Sequence, residues 1–235
     1  MAKKYSYQAD HVYPESILEA LKSAVKYSQY QCDFLEAEIK KYNKKTVKVL
    51  DFGAGIGTYA DMLKDLGYTV DCVELDPHMI KQLKKNHKVY KDIKDVKEKY
   101  DVIYSLNVLE HIEDDAKALA DLKACLKKDG EIVLFVPAFN ITYNKLDVVS
   151  GHFRRYRKKD LKKLASDTKL NLVKVRYSEP IGFFAGLVYR IIGGSEEVNP
   201  KSIALYDKYL FPISVFFEPP TRQLFGKNLL GIFKK

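Results

Sequence analysis

The sequence predicts an α/β chain built on a parallel, doubly wound sheet. Three observations carry this. Short apolar runs alternate with amphipathic segments from residue 47 onward, the runs are almost wholly apolar, and a glycine-rich turn follows the first of them. Such alternation belongs to strand–helix–strand units, and strands covered on both faces lose the in–out pattern of a half-solvated sheet. At 235 residues the chain has the length of one domain plus an appendage, and it buries a full core without disulfides or a metal.

Residues 15–42 read as an N-terminal helix, with Ile17, Leu18, Leu21, Val25, Phe34, Leu35 and Ile39 at roughly helical spacing and Pro14 near the start. VKVLDF (47–52) is the first strand, and 58–66 a helix with Tyr59, Met62, Leu63 and Leu66 on one face. VDCVEL (70–75) is a strand, 77–87 a helix, and VY (89–90) a weak strand signal. YDVIYSL (100–106) is a strong strand, a helix over about 114–127 carries Ala116, Leu119, Leu122 and Leu126, and GEIVLFVP (130–137) is the next strand. Residues 138–157 then form a loop-rich insertion. A helix (158–167), a strand (170–177), two apolar segments and NLLGIF (228–233) follow. The organisation is a helical extension (1–44) and a domain (45–235), of which 138–157 and 179–226 form an insertion and a cap over one end.

Composition narrows the function. No apolar stretch is long enough to span a bilayer, and MAKKYSYQAD lacks the apolar core of a secretory signal. Cys32, Cys72 and Cys125 are scattered without metal-type spacing, which predicts buried thiols in a reducing, cytoplasmic setting and no metal site. Residues 1–140 carry 22 Lys/Arg against 23 Asp/Glu, whereas residues 141–235 carry 18 against 8 and hold all six arginines. A lysine-rich surface explains the lysines but not the arginine segregation, so the C-terminal third is expected to face something acidic.

The most informative residues are DFGAGIG, Asp51 to Gly57. In a doubly wound sheet the ligand sits over this turn, and Gly53, Gly55 and Gly57 allow positive φ and close approach of backbone amides. A phosphate-binding P-loop needs a lysine, but Thr58 and Tyr59 follow the glycines here. A dinucleotide fingerprint needs its third glycine one residue later. The G-x-G-x-G form suits a ligand without pyrophosphate, and a purely structural turn stays open. Glu74 ends the second strand, where a carboxylate can accept bonds from ribose hydroxyls; Asp92 and Ile93 offer a carboxylate and an apolar surface for an adenine ring.

In this order, VLDFGAGIGTYA, VDCVELDPHM, YDVIYSLNVLEHIEDD and GEIVLFVPAF resemble the successive motifs of class I S-adenosylmethionine-dependent methyltransferases over residues 47–139. GHFRRYRKKDL (151–161) and the ending PPTRQLFGKNLLGIFKK are similar to a bacterial and archaeal branch associated with glycan and lipid-glycan assembly. The resemblance implies a Rossmann-like, doubly wound sheet of seven strands whose last strand, NLLGIF, is antiparallel. It implies S-adenosylmethionine as cofactor. Asp51, Gly53, Ala54, Gly55 and Gly57 would hold the methionine end, and Glu74 and Leu75 the ribose. Asp92 and Ile93 would flank adenine, while Ser105 and Asn107 line the sulfonium side.

Acceptor chemistry is narrowed by elimination. Amino-group methylation of nucleobases or glutamine usually goes with an Asn/Asp-Pro-Pro-Tyr/Phe turn where this chain has SLNV. Cytosine carbon methylation needs a Pro-Cys loop, but Cys125 sits in a helical stretch and Ala138 follows Pro137. His111 and His152 are placed as candidate bases, each with a plain packing role as the alternative. Arg154 and Arg155 offer two-pronged anion binding and Tyr156 a stacking surface for the acceptor, the alternative being a salt-bridged helix start against Asp160. IGFFAGLVYRII (181–192) and YLFPISVFF (209–217) read as core helices, or as an interfacial surface for a lipid-linked substrate at the membrane periphery. The expected reaction is methyl transfer to a small, glycan or lipid-linked acceptor with an anionic group, O-methylation favoured. The alternatives are a quinone or lipid ring methyltransferase and a basic nucleic-acid binder without catalysis. No RGG, RNP or zinc-knuckle pattern accompanies the charge, so no specific nucleic-acid partner is expected.

Overall fold

The computed structural model describes residues 15–193 and 199–235, with side chains from residue 18 onward. The reading of residues 1–10 as lacking a leader, Pro14, and residues 194–198 of the cap lie outside the described residues.

Helices α1 (Glu15–Leu21) and α2 (Val25–Ile39) precede β1 (Val49–Phe52), α3 (Thr58–Asp65), β2 (Val70–Val73), α4 (Pro77–Leu83) and β3 (Val89–Tyr90). Then come β4 (Tyr100–Leu106), α5 (Asp115–Ala124), β5 (Leu126–Pro137), α6 (Lys145–Val149), α7 (Lys158–Thr168) and β6 (Asn171–Ser178). The chain closes with α8 (Pro180–Ile191), α9 (Pro200–Leu205), α10 (Phe211–Thr221) and β7 (Asn228–Lys234). One sheet of seven strands runs β3-β2-β1-β4-β5-β7-β6. The strands pair in parallel except β7, which is antiparallel to both β5 and β6. The strand order reverses between β1 and β4, and a crevice opens there beyond the carboxyl ends of the strands.

The apolar runs predicted as strands bury their side chains on both faces. Leu50, Ile103, Ile132 and Leu134 join the α5 and α7 side, while Val49, Val102, Tyr104 and Val133 join Cys32, Leu35 and Ile39 of α2 and Leu63 of α3. Gly231 in β7 admits α7 closely, since a Cβ there would lie 2.7 Å from Leu161 Cδ1.

Three sequence expectations change, the simplest being Leu126, expected on the helix over about 114–127, which instead opens β5. The N-terminal helix is two helices, broken at residues 22–24. No side chain at Ala24 caps α2; instead Asp207, between α9 and α10, accepts hydrogen bonds from the Lys26 and Tyr27 amides at 2.9 and 2.8 Å. That tie brings the cap over the start of α2. The two apolar C-terminal segments do not serve solely as core. Phe184, Val188, Ile191 and Ile192 of the α8 region and Ile213, Phe216 and Phe217 of α10 are exposed. Among the described residues, no helix is long and apolar enough to cross a membrane.

Candidate active site

A cleft of about 1130 Å³ lies beyond β1, β2 and β4. On its first side the chain leaves β1 at Asp51 and turns through Gly53, Gly55 and Gly57, whose φ angles are +80°, +55° and +88°. A Cβ at Gly53 would collide with both methyls of Val108, so the turn needs glycine there for space as well as for φ. The Gly53 and Ala54 amides donate to Val73 O at 2.9 and 3.1 Å. Glu74 folds over the turn: Oε2 accepts from the Gly55 amide at 2.7 Å, and Oε1 from the Leu75 and Asp76 amides at 2.7 and 3.0 Å. Asp51 lies buried beneath, accepting from the Tyr104 hydroxyl at 2.9 Å. Burial pushes its carboxyl up to about 8, against the Tyr104 hydrogen bond and with help from the Glu74 charge. Asp92 and Ile93 border the same side, Asp92 accepting from the Lys94 amide at 2.9 Å.

The second side is built by the turn after β4 and the 138–157 insertion. Asn107 takes φ +54°, a conformation asparagine tolerates, and its amide donates to Phe135 O at 2.7 Å. The next turn carries Glu110 and His111 into the cleft, facing His152. The His111 and His152 rings meet edge to face, with centroids 4.6 Å apart. His152 Nδ1 lies 2.6 Å from Asp147 Oδ1. With that nitrogen donating to the carboxylate, the neutral ring carries its lone pair on Nε2. Asp147 is held by a two-pronged Arg155, with Nε on Oδ1 at 2.8 Å and Nη2 on Oδ2 at 2.9 Å, and by the Asn144 amide at 2.8 Å. Burial raises the Asp147 carboxyl, but the hydrogen bonds from His152 and Arg155 outweigh it and hold it below the usual range. Burial pushes Glu110 the other way, up to about 7, because His152 and Arg155 oppose it only in part. Burial, reinforced by His152, drives His111 down to about 3, so its ring is neutral at ordinary pH.

Residues 24–175 match a methyltransferase-domain family model. The chain belongs to this methyltransferase family. Solved structures of the same fold include an S-adenosylmethionine-dependent methyltransferase from Archaeoglobus fulgidus, with 20% identity over 87% of this chain and 94% of that one and a TM-score of 0.53. Magnesium protoporphyrin IX methyltransferase from Synechocystis PCC 6803, solved with S-adenosylhomocysteine, shares 17% identity over 64% and 76% of the chains with a TM-score of 0.53. Coclaurine N-methyltransferase, bound to N-methylheliamine and S-adenosylhomocysteine, shares 15% over 88% and 72% with a TM-score of 0.58. No curated protein sequence matches the chain.

The donors on the first side suit S-adenosylmethionine, the cofactor that the sequence motifs imply. A buried acid beneath a glycine turn matches an ammonium, a half-buried carboxylate matches a ribose diol, and Ile93 offers a flat apolar rest. Asp51, Gly53, Ala54, Gly55, Glu74, Leu75, Asp92, Ile93 and Asn107 all line the cleft; Gly57 starts α3 just behind it.

Three residues picked from the sequence stand elsewhere. Ser105 is buried behind the cleft wall, its hydroxyl donating to Phe52 O at 3.1 Å. Tyr156 is buried and donates to Asp115 Oδ2 at 2.9 Å, so its ring is not offered to an acceptor. Arg154 is committed to Asp115 at 2.8 Å and to Glu113 O at 2.7 Å. Arg155 borders the cleft, yet its fork is taken by Asp147, and not by Asp160. Four of the six segregated arginines are therefore committed within the chain: besides Arg154 and Arg155, Arg176 pairs with Glu218 at 3.0 Å, and Arg190 donates to Ile141 O at 2.6 Å. Glu110 and Asp147 were missed. Glu110 stood inside the quoted LEHI run, whereas a lone acid in a loop-rich insertion gives no signal of its own.

Proposed function

We propose that this methyltransferase transfers a methyl group from S-adenosylmethionine to an oxygen of a small, glycan or lipid-linked acceptor. The observation that carries this is the Arg155–Asp147–His152 chain at the wall of the cleft. S-adenosylmethionine supplies a methyl on a cationic sulfur, so the protein has to align a nucleophile and manage its proton. A hydroxyl must lose its proton as it reacts, and an imidazole fixed in one tautomer by a buried carboxylate is suited to take it at Nε2. Asp51 and the glycine turn would hold the methionine end, Glu74 the ribose, Asp92 and Ile93 the adenine. The test is a transfer assay with labelled cofactor on fractionated lipids, glycans, RNA and protein. Label should enter the lipid or glycan fraction. His152→Asn should lower turnover about 10²–10⁴-fold with cofactor affinity retained. Label confined to RNA, protein or an amine would overturn the reading.

A lipid-linked acceptor is supported by the exposed apolar face. On α8, Phe184, Val188 and Ile191 share one side, Ile191 being 82% exposed, and Phe216 of α10 is 76% exposed. Lys201, Lys208 and Arg222 on the same cap are exposed as well. Apolar area with cations suits an anionic bilayer surface, and Arg190 ties α8 to the acceptor-side insertion. This would place the enzyme on the cytoplasmic face of a membrane, in keeping with three buried free cysteines. Anionic vesicles should float the protein at low salt and neutral ones should not, with binding lost in Ile191→Ser/Phe216→Ser. Binding to neither, or a dimer that hides this face, would refute it.

A further inference from the structure

Three ligand-type side chains converge at the second side of the cleft. Glu110, His111 and His152 each bring one donor atom within 4.8 Å of the others. Two come from the turn after β4 and one from the insertion, and the Phe153 amide joins these segments by donating to Glu110 O at 2.8 Å. Glu110 is fully buried, and among the described residues no group of another residue hydrogen-bonds to its carboxylate. A fold keeps a buried carboxylate without donors at a cost, which a bound cation removes. His152 is backed by the Asp147 carboxylate at 2.6 Å, the support that stands behind metal-bound imidazoles and fixes which nitrogen faces the ion. Arg155 in turn locks Asp147. His111 is steadied by hydrogen bonding to the backbone at Ser150 and Gly151.

We propose that Glu110, His111 and His152 bind one divalent transition-metal ion of the zinc class, with an open coordination position facing the cleft. Two imidazoles and one carboxylate form a donor set that zinc takes at catalytic sites, whereas magnesium prefers oxygen ligands alone. Donors around zinc lie roughly 3.4 Å apart, so the widest of the donor separations needs to close by up to about 1.4 Å. What the ion does rests on the proposed oxygen methylation. An acceptor hydroxyl bound at the open position loses its proton to solvent more readily, and the ion then takes the place of a lone imidazole base.

Chelator-treated protein titrated with cobalt(II), followed by zinc(II), tests this. One equivalent of cobalt should give visible absorption bands, which zinc displaces. Glu110→Gln and His152→Asn should each abolish the bands, and Asp147→Asn should weaken binding about 10–100-fold. S-adenosylhomocysteine binding by every variant verifies that the fold survives. Absence of stoichiometric uptake, or uptake unchanged in both ligand variants, overturns the site, even if oxygen methylation is found. One-equivalent uptake abolished in both ligand variants supports the site, even if no methylated oxygen product is found; that second result would retire only the oxygen acceptor.

Discussion

Replacing Asp51 by asparagine should stabilise the free enzyme while weakening its hold on the cofactor. Asp51 is 3% exposed, and burial lifts its carboxyl from 3.8 to about 8. Between those values the folded chain binds one more proton than the unfolded chain. Stability from this group is therefore fully present below about pH 4 and is lost progressively as pH rises towards 8. The slope is about 1.4 kcal/mol per pH unit, which amounts to roughly 2–3 kcal/mol between pH 5.5 and 7.5. Asparagine keeps an oxygen for the Tyr104 hydroxyl but does not titrate. Relative to the wild type, the variant should gain roughly 5–10 °C in Tm across that interval. Thermal melts of both proteins over the pH range provide the test. Parallel curves would refute the reasoning. The second readout is calorimetry with S-adenosylhomocysteine at pH 7 in buffers of different ionisation enthalpy. An ammonium beside Asp51 drives its proton off, so binding should release close to one proton in the wild type and none in Asp51→Asn. Loss of the charge-assisted contact should weaken binding by about 1.5–3 kcal/mol.

Gly53→Ala should cost at least about 2 kcal/mol, because it adds strain at φ +80° to a collision with Val108, and urea titration should show part of that cost recovered in Gly53→Ala/Val108→Ala. Asp207→Ala should lose about 1–2 kcal/mol in the same assay, since it uncaps α2 from a distance. Arg155→Lys should lower kcat on the acceptor while leaving S-adenosylhomocysteine affinity in place, because lysine keeps the charge but not the fork that aligns Asp147. Equal kcat in that variant would remove Arg155 from the positioning of His152.

The strands were legible because parallel strands buried on both faces leave unbroken apolar runs, and β1, β2 and β4 sit where VKVLDF, VDCVEL and YDVIYSL predicted. The glycine turn was legible for a related reason: positive φ and steric crowding restrict its residues locally. Boundaries decided by distant contacts were not. Nothing between residues 15 and 42 announces a break, because the cap for α2 comes from Asp207. The apolar runs of α8 and α10 have the composition of core, and only the packing shows which side faces outward. GHFRRYR reads as a cationic cluster, yet two of its three arginines are spent on partners that no spacing rule links to them: Asp115 for Arg154 and Asp147 for Arg155.

The buried acids of the cleft sort by how many donors the chain supplies. Asp147 receives four: the His152 ring, two arms of Arg155 and the Asn144 amide. Its carboxyl stays below the ordinary range and stays charged, which is what a support for an imidazole requires. Among the described residues Asp51 receives one hydroxyl and Glu110 no donor from another residue, and burial lifts both. An acid the fold satisfies is part of the scaffold. One that it buries and leaves short of donors carries an unfavourable energy when charged, which a held proton or an incoming cation relieves. The two short acids stand at opposite ends of the cleft chemistry, one under the glycine turn and one beside the paired histidines. Each is therefore suited to a cation brought in by a ligand, and occupation of either proposed site should be read as a proton leaving the protein.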